Sequence, residues 1–293
     1  MTESENQLAR FRRIGLFDSG VGGLSVLRRL ANLPGAQDRS FVYLGDTARC
    51  PYGNREPGEI SAFVAQIVTW LETKNVDAII MACNTSAALA RAAADSAAKV
   101  PVFDLITAAS EAAASRRGKI AVMATASTAK SRAFSRTIAE FNANAQVIEF
   151  GCPELVLLAE SGQIDSPQAL SVLTKYVARL QAEEVETVIL GCTHYPFFKR
   201  QLESIAGSQM TFLDPAQILS GTNSNESAAH LSGDMYVTGN ASSFAATAQI
   251  CLGYMPWTVN SIEITALERC LCDRLFSIPR ESVPAPVAAP VVP

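Results

Sequence analysis

Two segments of the chain have nearly the same pattern: VDAIIMACNT at residues 76–85 and VETVILGCTH at residues 185–194. In each segment a run of apolar residues is followed directly by a cysteine and then by small polar residues. A continuously apolar run, rather than an alternating one, is typical of a strand buried on both faces of a parallel sheet. The two segments therefore predict two equivalent central strands, each ending at a cysteine.

The segments that lead into these strands are also alike. Apolar residues recur at i, i+3, i+4 and i+7 within residues 60–67 and again within residues 173–180, which predicts a helix with one buried stripe before each strand. Strand and helix patterns alternate along most of the chain, as in a parallel sheet covered by helices on both faces. The sequence therefore predicts an α/β fold with two similar domains, pseudo-symmetric sandwiches of the flavodoxin or Rossmann type.

The order of the predicted elements suggests where the domains begin and end. We assign residues 13–100 and about 213–270 to the first domain and residues 101–212 to the second, because the second unit is complete before the last strands begin. Residues 1–12 and the proline- and alanine-rich residues 280–293 are expected to be flexible termini.

The composition argues against several classes of protein. The 293 residues carry a formal net charge of -4 without a run of basic residues, unlike a nucleic-acid-binding protein. No apolar stretch reaches the roughly 18 residues of a membrane span, and the first residues lack the apolar centre of a signal peptide. We expect a cytoplasmic protein that binds a small anionic or zwitterionic ligand, with neither nucleic acid nor membrane as partner.

The cysteines at the ends of the two matched strands are the strongest candidates for chemistry. Seven scattered cysteines, none in C-x-x-C spacing, indicate reduced thiols and predict no metal. Ligands of open parallel sheets bind beyond the carboxyl ends of the strands, where Cys83 and Cys192 lie, although a single cysteine there can simply pack as a small apolar residue. Because the two contexts match, we expect two thiols that act on opposite faces of one small ligand across an interdomain cleft.

The residues after each cysteine support this hypothesis. Asn84 and Thr85, and likewise Thr193 and His194, offer donors at a helix start, which suits a bound carboxylate and is expected to lower the thiol pKa. His194 can also shuttle a proton to the nearby thiol or tune it, the alternative being a packing role.

Two loops add polar groups at further strand ends. FDSGVGG at residues 17–23 places Asp18 and Ser19 directly after a strand, with glycines that let the backbone approach a ligand or that only form a tight turn. A dinucleotide fingerprint, with Asp46 as its acidic residue, is an alternative, but GVGGLS lacks the third glycine of G-x-G-x-x-G. GDTARCPYGN at residues 45–54 is predicted to be a binding loop, with a plain Ω-loop as the alternative.

Taken together, GLFDSGVGGLSVLR, YLGDTARCPYGN, ACNTSAA, CPELV and LGCTHYPFF resemble the motifs of the glutamate racemases, within the cofactor-independent aspartate/glutamate racemase superfamily, over about residues 13–265. The resemblance implies an active site between two α/β domains, a homodimer, and interconversion of L- and D-glutamate for peptidoglycan precursors without a cofactor or metal. It makes Cys83 and Cys192 the acid/base catalysts, assisted by Asp18 and His194. The substrate contacts that it implies are Asp18, Ser19, Tyr52, Gly53, Asn84, Thr85, Thr193 and His194, with Asp46 and Glu154 at secondary polar positions.

Two segments depart from the family pattern: DLITAASEAAA at residues 104–114 and MATASTAKS at residues 123–131. Both fall in the predicted second domain and bear on the shape of the substrate pocket. The alternatives to a glutamate racemase are a racemase of the same superfamily acting on aspartate or another amino acid, and a non-catalytic sensor that binds an amino acid in the cleft. A sensor gives no reason for paired cysteines.

Overall fold

The computed structural model describes residues 8, 10–30, 35–220, 232–253, 255 and 257–277. Its first parallel sheet is formed by β1 Arg13–Asp18, β2 Ser40–Gly45, β3 Ala78–Met81, β4 Val102–Asp104, β9 Ser232–Val237 and β10 Val259–Ser261. Their order is β10-β9-β2-β1-β3-β4, and every neighbouring pair is parallel.

The second parallel sheet repeats the arrangement of the first four strands. It is formed by β5 Lys119–Ala124, β6 Val147–Gly151, β7 Val185–Gly191 and β8 Thr211–Leu213. Its order, β6-β5-β7-β8, corresponds to the order β2-β1-β3-β4 in the first sheet. The prediction of two similar parallel-sheet α/β units is therefore confirmed, and the two opening segments form the third strand of each unit.

The strand order determines where polar side chains converge. In each sheet the chain places its second strand on one side of the first and its third strand on the other. Ligands of open α/β sheets bind at such a switch point, beyond the carboxyl ends of the strands. Asp18 ends β1 and Cys83 follows β3, whereas Thr125 follows β5 and Cys192 follows β7. The fold thus brings each cysteine to the equivalent crevice of its sheet.

Helices connect and cover the strands. They are α1 Gly23–Leu30, α2 Pro57–Glu72, α3 Asn84–Ala97, α4 Leu105–Ala114, α5 Ala126–Ser131, α6 Ala133–Phe141, α7 Pro153–Glu160, α8 Pro167–Ala182, α9 Lys199–Ala206, α10 Pro215–Ser220, α11 Ala241–Leu252 and α12 Ile264–Ser277. Short 3₁₀ helices lie at Ala36–Asp38, Tyr52–Asn54, Tyr195–Phe198 and Gly207–Gln209. Within the described ranges, none of the helices is long and apolar enough to cross a membrane.

Helix α2 shows how local sequence sets these elements. Pro57 occupies its first turn, and Glu56 and Glu59 form a reciprocal capping box that satisfies the free N–H groups of that turn. Ile60 and Ile67 lie on its buried face, as the i, i+7 spacing predicts. The helix therefore starts before the predicted apolar stripe and delivers the chain into β3.

One of the hydrophobic clusters spans both sheets. A single buried cluster includes Ile79 of β3 and Val122 of β5, both fully buried. Helices α3 and α5 pack against each other where the two units meet. Because close-packed apolar surface resists separation, this cluster holds the two units together.

The pairing of β4 bears on the predicted boundary at residue 101. Strand β4 pairs with β3 in the first sheet, not in the second. The reason is topological, because a helix that leaves a parallel strand normally returns its chain to the same sheet by a right-handed crossover, and β3-α3-β4 is such a unit. We propose that the first domain extends to about residue 104 before the second begins.

Part of the predicted flexible amino terminus is packed against the first sheet. Leu8 is fully buried, and Phe11 meets Phe103 edge-on with ring centroids 5.8 Å apart. Residues 1–7 and the predicted flexible residues 280–293 lie outside the described residues.

Candidate active site

A cleft between the carboxyl ends of the two sheets collects the predicted site residues. Its cavity is small in this structure, about 20 Å³. The lining residues are Asp18, Ser19, Pro51, Tyr52, Gly53, Cys83, Asn84, Thr85, Thr125, Val156, Cys192, Thr193 and His194. Every residue predicted as a catalyst or a primary substrate contact is among them.

Cys83 lies at the N-cap of α3 and is buried. Its Sγ is 3.9 Å from the hydroxyl oxygen of Ser19. Burial, and next the charge of Asp18, raises the pKa of Cys83 to about 12, although hydrogen bonds with Ser86 act in the opposite direction. The N–H of Ser86 at the helix start lowers this pKa, as expected, but desolvation of the thiolate outweighs that contribution. Burial therefore favours the neutral thiol form of Cys83.

Cys192 has different surroundings. After it the chain turns into the 3₁₀ helix Tyr195–Phe198 instead of an α-helix. Its Sγ lies 3.5 Å from Nδ1 of His194, and Nε2 of the same ring lies 2.6 Å from Oε1 of Glu160. A thiol, an imidazole and a carboxylate thus form one continuous chain of contacts.

The imidazole of His194 is held as a cation by its two neighbours. Burial lowers the pKa of His194, but hydrogen bonds and charges of Cys192 and Glu160 outweigh burial and raise that pKa above its ordinary value. Burial raises the pKa of Glu160, but His194 and the N–H of Val21 lower it overall. A cationic ring therefore lies beside the Cys192 sulfur. The two thiols of the cleft therefore have opposite electrostatic surroundings.

The glycine-rich turn after β1 lies directly against the second cysteine's turn. Asp18 is fully buried, and its Oδ2 accepts hydrogen bonds from the N–H groups of Gly20 at 3.1 Å and Gly23 at 3.0 Å. The Thr193 hydroxyl donates to Oδ1 of the same carboxylate at 3.4 Å. A Cβ at Gly22 would lie 2.3 Å from Oγ1 of Thr193, so only glycine permits this approach.

Asn84 has a side-chain amide without a partner among the described residues. Its nitrogen and its oxygen are both buried, and the residue, only 2% exposed, lines the cleft. An unsatisfied buried polar group costs about 1–3 kcal/mol, and native structures rarely keep one without a functional reason. The amide offers its NH2 group as a donor and its oxygen as an acceptor to a ligand in the cleft.

The loop after β2 has its own buried anchor. Asp46 is fully buried and accepts hydrogen bonds from Nε of Arg49 at 2.7 Å, from the Thr238 hydroxyl at 2.8 Å and from the Tyr52 hydroxyl. It holds Tyr52 and Gly53 at the cleft without lining the cleft itself. Because these bonds occupy its carboxylate, Asp46 is not free to bind a ribose, which weakens the dinucleotide alternative.

Glu154 is not brought to the cleft. Its side chain is exposed at the start of α7 and accepts a hydrogen bond from the Tyr176 hydroxyl. The carboxylate that this helix contributes is Glu160, at its other end. No local motif marks Glu160 in the sequence, since an acidic residue at the end of a short helix is ordinary.

Thr125 is a second residue that the sequence analysis missed. Its hydroxyl lies 3.0 Å from that of Thr85 and 2.9 Å from that of Thr128, and the Thr128 hydroxyl lies 3.1 Å from that of Thr85. These three buried hydroxyls form a ring that links the two units beside the cleft. A sequence signal existed, because Thr125 follows β5 just as Asp18 ends β1.

The remaining cysteines and acidic residues suggest no metal centre. Among the residues that the structure describes, no three His, Cys, Asp or Glu side chains are grouped to hold an ion. Cys152 is fully buried at the N-cap of α7, and burial raises its pKa well above the ordinary value, which fits a packing role.

Comparison with known proteins agrees with this geometry. The profile of the Asp/Glu/Hydantoin racemase family matches residues 14–220. A glutamate racemase of Trichodesmium erythraeum is 42% identical over 208 residues, 71% of this chain and 76% of that protein. One from Rippkaea orientalis is 40% identical over 256 residues, 84% of this chain and 89% of that protein.

Solved structures give the same result. A glutamate racemase of Bacillus anthracis superimposes with a TM-score of 0.77 at 30% identity, covering 86% of this chain and 98% of the other. The glutamate racemase of Francisella tularensis in complex with D-glutamate gives 0.76 at 29% identity, with coverage of 86% and 98%. The family resemblance inferred from the motifs is confirmed, and the chain belongs to the Asp/Glu/Hydantoin racemase family.

Proposed function

We propose that this racemase interconverts L- and D-glutamate by proton transfer between the substrate Cα and two thiols, Cys83 and Cys192. The observation that carries the proposal is that one small cleft contains both thiols, each at the end of an equivalent strand of its own sheet. Racemisation needs a base on one face of Cα and an acid on the other. Two opposed sheet edges supply such a pair.

The base in one direction is the Cys192 thiolate. His194 donates from Nδ1 to the sulfur while Glu160 holds Nε2, so the imidazolium compensates the thiolate charge. When the Cys192 thiolate takes the Cα proton, the net charge of the Cys192, His194 and Glu160 side chains together becomes more positive by one. The Glu160 carboxylate limits the cost of that change in a buried site.

The acid in the same direction is the Cys83 thiol. Burial and the nearby Asp18 charge keep its proton in place until a carbanion forms at Cα. Donation to the opposite face gives the enantiomer and leaves Cys83 as thiolate, which is the base of the reverse reaction. Each thiol thus alternates between the two roles, and one proton is shared between the two sulfurs.

The cleft also has donors for the substrate's α-carboxylate. The unpaired Asn84 amide lies at the start of α3, where the helix dipole favours negative charge. The hydroxyls of Ser19, Thr85 and Thr193 line the same cleft. Such preorganised donors stabilise the charge that spreads from Cα into the carboxylate as the proton leaves. The proposed chemistry places the electron sink in this array.

Glutamate as the substrate is supported by the relatives. The curated relatives with about 40% identity are glutamate racemases, and the Francisella tularensis structure holds D-glutamate. On the motif resemblance we also propose that the enzyme is a cytoplasmic homodimer that needs no cofactor and supplies D-glutamate for peptidoglycan.

The test is racemisation by purified protein with L-glutamate and no added cofactor, followed by circular dichroism. Cys83→Ser and Cys192→Ser should each lower turnover to background with an unchanged far-UV spectrum, because serine is nearly isosteric but a much poorer acid and base partner. Substantial turnover by either variant refutes the two-thiol scheme. In deuterated water the product should carry deuterium at Cα, whereas binding of glutamate without exchange indicates a sensor. Parallel assays with aspartate decide the substrate.

A further inference from the structure

We propose that Ser25 is a positioning residue for racemisation, which it serves by fixing the turn that carries Cys192 and His194. The inference deepens the proposed function and rests on it. Ser25 lies in the first turn of α1, is 2% exposed and does not line the cleft. It therefore acts through the residues that it contacts.

The contact crosses from the first unit to the second. The Ser25 hydroxyl donates a hydrogen bond to the backbone carbonyl of Thr193 at 3.1 Å, between buried residues 168 positions apart. The backbone N–H of Ser25 already donates to the carbonyl of Gly22 at 2.9 Å, within its own turn. The hydroxyl is thus the part of Ser25 that holds the second cysteine's turn.

Holding that carbonyl has a consequence for His194. The C=O of Thr193 and the N–H of His194 belong to one planar trans peptide and point in opposite directions. Fixing one therefore fixes the other, and a hydrogen bond accepted by the carbonyl also strengthens the N–H as a donor. Ser25 consequently aims and polarises a backbone donor at a residue that lines the cleft.

The backbone carbonyl of Cys83 is also held by a serine hydroxyl, but this serine comes from the same unit. The Ser86 hydroxyl, fully buried, donates to the carbonyl of Cys83 at 2.8 Å. Ser86 belongs to α3, the helix that Cys83 itself caps, whereas Ser25 reaches its target from the opposite unit. Removal of Ser25 should therefore disturb the Cys192 side of the cleft and leave the Cys83 side in place.

Three variants separate this role from simple packing. Ser25→Ala removes the donor, and Ser25→Cys fills the same space with a much weaker one. Ser61→Ala is the matched control, because the Ser61 hydroxyl donates to the carbonyl of Pro57 at 2.9 Å within α2, away from the cleft. We expect kcat/KM for glutamate to fall about tenfold in both Ser25 variants, the scale of one lost hydrogen bond, and to stay unchanged in Ser61→Ala. Wild-type activity in Ser25→Cys would show that only volume matters and overturn the proposal.

Isotope effects supply a readout that a merely structural role does not move. With 2-deuterio-L-glutamate and 2-deuterio-D-glutamate, slower transfer at Cys192 should raise the primary isotope effect on kcat/KM for the enantiomer that Cys192 deprotonates. For the other enantiomer, which Cys83 deprotonates, the isotope effect should fall. The slower second transfer, from Cys192, makes the first removal of the Cα proton more reversible.

The outcomes distinguish this inference from the proposed function. A smaller folded fraction in Ser25→Ala, measured by thermal melts, would lower both rates and leave both isotope effects at the wild-type values, which would overturn the positioning role. Failure of the wild-type protein to racemise glutamate would instead refute the proposed function.

Discussion

Replacement of Glu160 by glutamine tests whether the second thiol depends on a charged imidazole. The substitution keeps the shape of the side chain but removes the negative charge 2.6 Å from Nε2 of His194. Because Glu160 contributes to the raised pKa of His194, that pKa must fall when the charge is lost. The imidazolium then gives up its proton at lower pH, and the Cys192 thiolate loses its cationic partner.

The size of the effect follows from the nature of this contact. The His194 side chain is 3% exposed and that of Glu160 27%, so solvent screens the pair only in part. A hydrogen bond to a charged group contributes about 1.5–3 kcal/mol, and about 1.4 kcal/mol is a factor of ten in rate. We therefore expect kcat of Glu160→Gln to fall about ten- to a hundredfold near pH 8, the loss growing toward higher pH.

The assay is the pH dependence of kcat from circular dichroism, with L-glutamate in excess. The alkaline limb should move to lower pH in Glu160→Gln, since a group whose pKa is raised in the wild type stays protonated longer. Glu154→Gln is the matched control, because this carboxylate lies on the same helix but is exposed and paired with Tyr176. If the limb stays at its wild-type pH in Glu160→Gln, the imidazolium is not what supports the Cys192 thiolate.

Two further variants probe the substrate side of the cleft. Asn84→Ala should raise KM for glutamate about tenfold or more while the melting temperature stays the same or rises, because the amide has no protein partner to lose; a clear drop in melting temperature would show that the amide is structural. Gly22→Ala should lower kcat/KM by about a hundredfold, since the new Cβ must displace Thr193, whereas Gly58→Ala, with nothing within 4 Å of its Cβ, should keep full activity. Equal activities of the two alanine variants would contradict the close approach of the glycine turn.

The sequence predicted those features that depend on periodicity and on strand ends. Continuous apolar runs identified the central strands, and the repeated pattern identified two parallel sheets with matched cysteines. In parallel sheets such strand ends converge, which is why Asp18, Cys83 and Cys192 could be assigned to one cleft without knowledge of their distances. The residues themselves predicted a binding loop at 45–54, but Tyr52 and Gly53 were named as substrate contacts only through the family resemblance, since a turn sequence does not reveal where its loop lies.

Other features depend on tertiary contacts that no local pattern encodes. The raised pKa of Cys83 results from burial by residues distant in sequence, while the helix start that suggested the opposite shift is local. Glu160 reaches His194 because α7 ends beside the glycine turn, where the N–H of Val21 also donates to its carboxylate. The sheet that β4 joins could not be read from the sequence, because a three-residue strand carries no mark of it.

The unlike surroundings of the two thiols have a definite place in the kinetics. Racemisation has an equilibrium constant of one, so kcat/KM must be equal for both enantiomers at every pH, whatever the two sites look like. Cys192 lies beside an imidazolium, whereas Cys83 is a buried thiol. This difference can therefore change kcat and KM individually between the two directions, but not their ratio. This fits a reaction that needs one proton on two sulfurs. The repeated sheet places both sulfurs at the same cleft, whereas the charged groups beside them differ, an imidazolium at Cys192 and a carboxylate at Cys83.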